Sequence, residues 1–359
     1  MWNNEVSDRV TPGLDRSLAA NGYRLPAEWT AHQATWLSWP HNPETWPVGL
    51  EAVERIMAQA VRALRAGEVV HINVLDRDHE ARVRAQLGPD EGAYPVRYHH
   101  IPTNDAWCRD HGALFVVRPG REAPLVAVDW GYNAWGGKYP PYDLDDAVPR
   151  HMAEALDVPC IPAGMVLEGG SVEVNGTGLL LTTAACLLNP NRNPHLTRPE
   201  IEQCLREMLG VERILWLAGE LAGDDTDGHI DNLARFVSED TVVTVVERDP
   251  LEENYAVLQD NVARLREMKT LEGQPLRVIG LPMPSPIYLD GTRLPASYAN
   301  FYVGNRVVLL PCYRDAKDAV AAAILRDLFP DRRIVGLDCT EVTRGLGAFH
   351  CLTQQVPFV

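Results

Sequence analysis

The chain has 359 residues, 46% of them hydrophobic and 23% charged, with 27 Gly and 27 Pro. These fractions exclude a disordered, collagen-like or simple coiled-coil protein, and the length leaves ample chain for a packed core. The 49 acidic against 33 basic residues give a net charge of −16, which repels phosphate backbones and anionic lipid headgroups and argues against nucleic acid or a membrane as partner. The first 30 residues hold no basic stretch followed by an apolar core, so no secretory signal is expected. No window reaches the roughly 18 apolar residues of a membrane span. Between 51 and 64, Val53, Ile56, Met57, Ala60, Val61 and Leu64 recur at helical spacing with Gly67 beyond them, which predicts a helix followed by a strand over 69–75. Runs rich in β-branched residues predict strands at 113–117, 125–129 and 179–182. The most regular helix is predicted over 197–210, where Thr197 and Glu200 form a capping-box pattern and Ile201, Cys204, Leu205, Met208 and Leu209 share one face. Beyond it, strands are predicted at 213–217, 241–246, 306–310 and 334–337 and helices at 250–267 and 315–328.

This alternation runs on without a Ser/Gly linker or a charge block, so a single α/β domain over 1–359 is expected, with about the first 20 residues peripheral. The proline-dense stretch 281–286 is too short to mark a boundary. No internal repeat is visible. Neither GxGxxG nor GxxxxGK[ST] occurs, so a dinucleotide fold and a phosphate-binding loop lack support.

Seven cysteines, at 108, 160, 186, 204, 312, 339 and 351, form an odd set without a CxxC pair. That spacing excludes zinc-ribbon and thioredoxin motifs and suits the reducing cytoplasm. Cys186, Cys204 and Cys312 lie in apolar runs and read as core. Four stretches are polar and glycine-rich against their surroundings: NDAWCRDHG at 104–112, LEGGS at 167–171, GDDTDGHIDN at 223–232 and GLGAFHCLTQQ at 345–355. Each side chain has a structural alternative. Asp110 could pair with Arg109 or cap a helix, and Glu168 could be a turn residue. His229 and Asp231, two residues apart, would share one face of a strand. Cys351 follows a glycine turn beside His350, a polar setting in which a core cysteine is out of place. The acidic run at 224–231 lacks the spacing of a calcium loop, so no metal is expected there. A thiol, an imidazole and surplus carboxylates without a metal suit attack on a cationic electrophile, and a planar guanidinium matches paired carboxylates.

Eight ordered motifs resemble those of the agmatine deiminase family, which includes bacterial peptidylarginine deiminases, over about residues 25 to 357. They are Trp39 to Pro47, Asn104 to Asp110, Asn133 to Lys138, Leu167 to Ser171, Leu188 to Pro194, Thr226 to Asn232, Ser297 to Tyr302 and His350 to Gln355. The resemblance implies a five-bladed α/β propeller, the pentein fold, of ββαβ modules with pseudo-fivefold symmetry. Asp110, Glu168, His229, Ser297 and Cys351 stand 58, 61, 68 and 54 residues apart, which fits five modules each sending one loop to a central site.

The resemblance also implies roles: Cys351 as nucleophile, His229 as general acid/base, and Asp110 and Asp231 as the carboxylates that hold the guanidinium. Glu168, Trp107, Asp225 and Trp135 are the expected substrate-binding residues. The implied reaction hydrolyses agmatine to N-carbamoylputrescine and ammonia through a covalent thiouronium on cysteine, and that chemistry needs no metal or organic cofactor. The expected partner is a small cationic guanidine, and a homo-oligomer, dimer or tetramer, is compatible with the family. Two alternatives stay open: deimination of free, modified or peptidyl arginine, and a pentein-fold protein that only binds. Three positions depart from the agmatine pattern. Leu346 and Ala348 stand where glycine and asparagine are typical, and Asp225 stands where Glu is expected, shortening that carboxylate by about 1.5 Å.

Overall fold

The computed structural model describes residues 17–89, 92–219 and 221–359. The expected peripheral segment falls mostly on residues 1–16, outside the described residues. Among the described residues no helix is long and apolar enough to cross a membrane.

The chain is a mixed α/β protein in which one small arrangement recurs five times. A short strand pairs antiparallel with a longer one, a helix crosses over, and a third strand returns parallel to the second. Thus Leu114–Val117 pairs antiparallel with Leu125–Gly131, and the helix Asp143–Leu156 leads to the parallel strand Cys160–Val166. The pattern repeats in Glu173–Val174, Leu179–Thr183, the helix Arg198–Leu209 and Arg213–Leu217. It repeats again in Ala234–Phe236, Thr241–Val246, the helix Tyr255–Glu267 and Arg277–Pro282. A further copy comprises Tyr302–Val303, Val307–Cys312, the helix Lys317–Leu328 and Arg333–Asp338. In the remaining copy the short strand comes from the far end of the chain. Thr353–Pro357 pairs antiparallel with His32–Ser38, whose helix Leu50–Leu64 leads to the parallel strand Val69–Val74. A second helix, Arg77–Leu87, adds a parallel fourth strand, Val96–His100. Parallel neighbours need such a crossover, since no tight turn can join them.

The long middle strands are buried along almost their whole length, as in TVVTVV of Thr241–Val246 and VVLLPC of Val307–Cys312. Strands covered on both faces read as continuous apolar runs, which is why these were legible. The helix Leu50–Leu64 buries Val53, Ile56, Met57, Val61 and Leu64, each large aliphatic contributing about 1.5–3 kcal/mol of burial. Glu200 accepts from the Thr197 backbone N–H at 2.7 Å, so the expected capping box opens the helix Arg198–Leu209. The helix expected from 250 opens only at Tyr255, since 250–254 form turns.

Candidate active site

Each of the spaced motifs ends in a tight turn immediately before the short first strand of a unit. Asp110 lies in the one-turn helix Cys108–His111 and Glu168 precedes the turn Gly169–Ser171. His229 precedes the turn Ile230–Asn232, and Cys351 lies in Phe349–Leu352. His229 and Asp231 are therefore not on a strand, as their i, i+2 spacing suggested. The turn still brings both to the site. The glycines explain how closely these turns pack. A Cβ on Gly169 would lie 2.3 Å from the Arg109 carbonyl oxygen. One on Gly170 would lie 2.6 Å from His229 Nδ1, 2.7 Å from Asp110 Oδ1 and 3.0 Å from Asp231 Oδ2, so these three groups converge on one point.

A cavity of about 820 Å³ opens above them. Cys351, Asp110, Trp107, Trp135 and Asp225 line it. His229, Asp231 and Glu168 lie behind that lining, fully buried. Asp110 accepts from Trp135 Nε1 at 3.0 Å and from the Gly170 backbone N–H at 3.1 Å, so it does not pair with Arg109. Arg109 reaches Glu28 at 3.2 Å and Gln355 at 2.8 Å instead. His229 Nδ1 stands 3.6 Å from Asp110 Oδ1, and neither ring nitrogen has a hydrogen-bond partner. Cys351 Sγ stands 3.7 Å from Asp231 Oδ2 and accepts from Asn300 Nδ2 at 3.2 Å.

Electrostatics set the protonation of these groups. Burial and then the charges of Asp231 and Asp110 push the Cys351 thiol well above its ordinary value, against the Asn300 hydrogen bond. Burial pulls His229 down, but Asp110, Cys186 and Glu168 more than offset it and hold the imidazole well above its usual range. Burial raises Asp110. Asp231 is held low because its hydrogen bond and charge contact with His350 outweigh burial. These directions favour a proton on His229, a neutral thiol and an ionised Asp231, and a cation arriving beside Asp231 and Asp110 would be attracted.

The substrate-binding set is split. Trp107 packs its ring 5.4 Å from Trp46, and a Cβ on Gly347 would strike Trp107 at 2.4 Å, so the glycine lets the loop before Cys351 lie flat on that ring. Glu168 turns away from the cavity to accept from Arg192 Nε at 2.6 Å, with its other oxygen unpartnered. Asp225 lies at the cavity wall, where the Tyr139 hydroxyl donates to it and Lys138 Nζ stands 3.7 Å away. Leu346 also lines the wall, at φ +70°, the left-handed conformation a glycine adopts without cost. Three residues beside the site were given no part in it from the sequence. Asn300 sits in the motif Ser297 to Tyr302, whose spacing could have flagged it. Cys186 is buried as expected, yet with Glu168 and His229 it places ligand-type atoms within 4.8 Å of one another. Glu28 is joined to the site through His350.

Five ββαβ units whose leading turns converge on a buried thiol, imidazole and paired carboxylates define the guanidine-modifying class of α/β enzymes. The chain belongs to the Porphyromonas-type peptidyl-arginine deiminase family, whose model matches residues 24–357. It is 38% identical to an agmatine deiminase of Pseudomonas aeruginosa, with 94% of this chain and 96% of that protein covered. Among solved structures it superposes on an agmatine deiminase of Enterococcus faecalis with a TM-score of 0.88 at 33% identity, covering 96% of this chain and 98% of that one. A cysteine-to-serine agmatine deiminase of C. jejuni with substrate bound superposes with a TM-score of 0.84 at 32% identity, covering 93% and 96%.

Proposed function

We propose that the protein is a deiminase that hydrolyses agmatine to N-carbamoylputrescine and ammonia. The observation that carries this reading is the convergence of Cys351, His229, Asp110 and Asp231 at the base of one cavity. Asp110 and Asp231 accept the guanidinium N–H groups and fix its plane. The arriving cation offsets the two carboxylate charges, the Cys351 thiol releases its proton to solvent in the cavity, and the thiolate attacks the central carbon. The proton on His229 passes to one terminal nitrogen, which leaves as ammonia, and a thiouronium remains on Sγ. His229, now neutral, takes a proton from a water that adds to the same carbon. Collapse expels the thiolate, which takes up the remaining hydroxyl proton, and leaves the neutral ureido product.

The five units support a single pentein-type propeller, with pseudo-fivefold symmetry about the site, as the arrangement behind this convergence. The seven unpaired cysteines support a reducing, cytoplasmic setting. A second reading keeps the chemistry and changes the far end of the substrate to that of a free, modified or peptidyl arginine, which carries a carboxylate when the arginine is free or C-terminal. It is favoured by Asp225 being engaged already, by the Tyr139 hydroxyl and Lys138.

The test is to incubate the protein and Cys351→Ala with agmatine, arginine, N-acylarginine and an arginyl peptide, then to measure ammonia and ureido product. Agmatine turnover lost in Cys351→Ala is expected. Absence of turnover with every guanidine defeats the deiminase reading, and turnover that survives in Cys351→Ala defeats the mechanism alone.

A further inference from the structure

Beneath Asp231 lies a pair of residues that the reaction as written does not use. His350 Nδ1 is 2.7 Å from Asp231 Oδ2, and His350 Nε2 is 2.8 Å from Glu28 Oε2. All three side chains are buried. Each of these short contacts needs a proton between its nitrogen and its carboxylate oxygen, because two lone pairs cannot face one another at that distance, and a carboxylate supplies none. Glu28 is itself fixed. Arg235 lies 2.8 Å from its Oε1, Arg109 3.2 Å from its Oε2, and the Val303 backbone N–H donates to Oε1 at 2.8 Å. Burial raises Glu28, but Arg235, His350 and Arg109 together hold its carboxyl well below the usual range.

The consequence for Asp231 is a division of labour between its oxygens. Oδ2 is taken by His350 and faces Cys351 Sγ at 3.7 Å, whereas Oδ1 is buried without a hydrogen-bond partner. We propose that Glu28 and His350 are positioning residues that keep a doubly protonated imidazole under Asp231, locking Oδ2 so that Oδ1 receives the guanidinium and tempering the Asp231 charge felt by Cys351. This rests on the deiminase reading for its purpose, though not for its geometry. The titratable and charged groups around the pair are Asp231 above, Glu28, Arg109 and Arg235 below, and Glu173, which pairs with Arg235 at 2.6 Å.

Two variants separate charge from shape. In Glu28→Gln the amide can donate to Nε2, so the imidazole keeps one proton, on Nδ1 for Asp231; both hydrogen bonds survive and the cation is lost. In His350→Gln a neutral donor faces Asp231. Both should raise the pH midpoint of Cys351 alkylation by iodoacetamide, because the cation in direct contact with Asp231 is then gone, and both should lower kcat/KM for agmatine about 10- to 100-fold. A merely structural role would lower the melting temperature and leave the midpoint and the kcat/KM of the folded enzyme unchanged. That result overturns the proposal and leaves the deiminase reading standing. Conversely, a shifted midpoint in a protein whose parent turns over no guanidine overturns the function and supports the pair. Should neither variant fold, the imidazole nitrogen shifts of His350 in the parent decide: two protonated nitrogens at pH 8 support the proposal, and a neutral ring overturns it.

Discussion

Cys351 is placed where it cannot ionise unaided, since it is buried and faces Asp231 and Asp110. A guanidinium seated on those carboxylates reverses the balance, so the pH midpoint of iodoacetamide alkylation should lie above the free-thiol value of about 8.5 in the empty protein. It should fall when a small guanidinium cation is added. An empty-site midpoint well below that value would defeat this account of nucleophile activation. Gly170 is the residue on which the arrangement turns, because a methyl group there meets His229, Asp110 and Asp231 within 3.0 Å. Gly170→Ala should keep the circular dichroism of the parent while lowering kcat/KM about 100-fold, as sub-ångström displacement of the three groups proposed to act on the substrate predicts. Full activity in that variant would mean that the three groups need not hold this geometry.

At the scale of elements, the side chains that converge at the cavity sit on turns of three or four residues, and the burial lies in the helices and long strands behind them. This separation makes the two independently mutable. The Thr197 and Glu200 capping box lies outside the cavity lining, at the start of Arg198–Leu209. Thr197→Ala should therefore cost about 1 kcal/mol in urea unfolding with agmatine turnover unchanged; an equal loss of turnover would tie that helix to the site. The same separation decided which elements were legible. Thr241–Val246 and Val307–Cys312 announce themselves by apolar β-branched runs, because both of their faces are covered. Thr353–Pro357 does not, although it is buried throughout. Of its polar side chains, Gln355 accepts from the distant Arg109, Thr353 donates to the Phe349 carbonyl four residues back, and Gln354 is buried without a hydrogen-bond partner. The helix Asp143–Leu156 is masked by Pro149 in its interior, and Arg277–Pro282 is half exposed and carries no clear period.

For the whole molecule, the pairing of Thr353–Pro357 with His32–Ser38 joins the two ends of the described chain and completes the first unit with the last strand. That unit also carries an acid-sensitive cluster. Trp36 stacks on His71 at 4.5 Å and on His99 at 4.7 Å. Burial, then the neighbouring His99 and Arg97, lowers His71 to about 3, and burial with Arg97 and His100 lowers His99 to about 4. The unfolded chain binds protons on both near pH 6.5 and the folded chain does not, so the contribution of these two histidines to stability should be level above about pH 6.5 and fall steadily toward pH 4. Replacing His99 by Gln should flatten that fall in a series of melting temperatures; an unchanged slope would place the acid lability elsewhere. Taken by itself, the sequence determined the alternation of elements, the acidic surplus that disfavours phosphate partners, and the motif residues Asp110, Glu168, His229, Asp231 and Cys351, because local periodicity and short polar motifs are written in neighbouring residues. The tertiary structure alone decided that the turns converge, that Glu168 faces Arg192, and that Glu28, 322 residues from His350, belongs under the site. Burial and charge pairing between distant segments depend on which turns the five units bring together, and no local window of the chain encodes that.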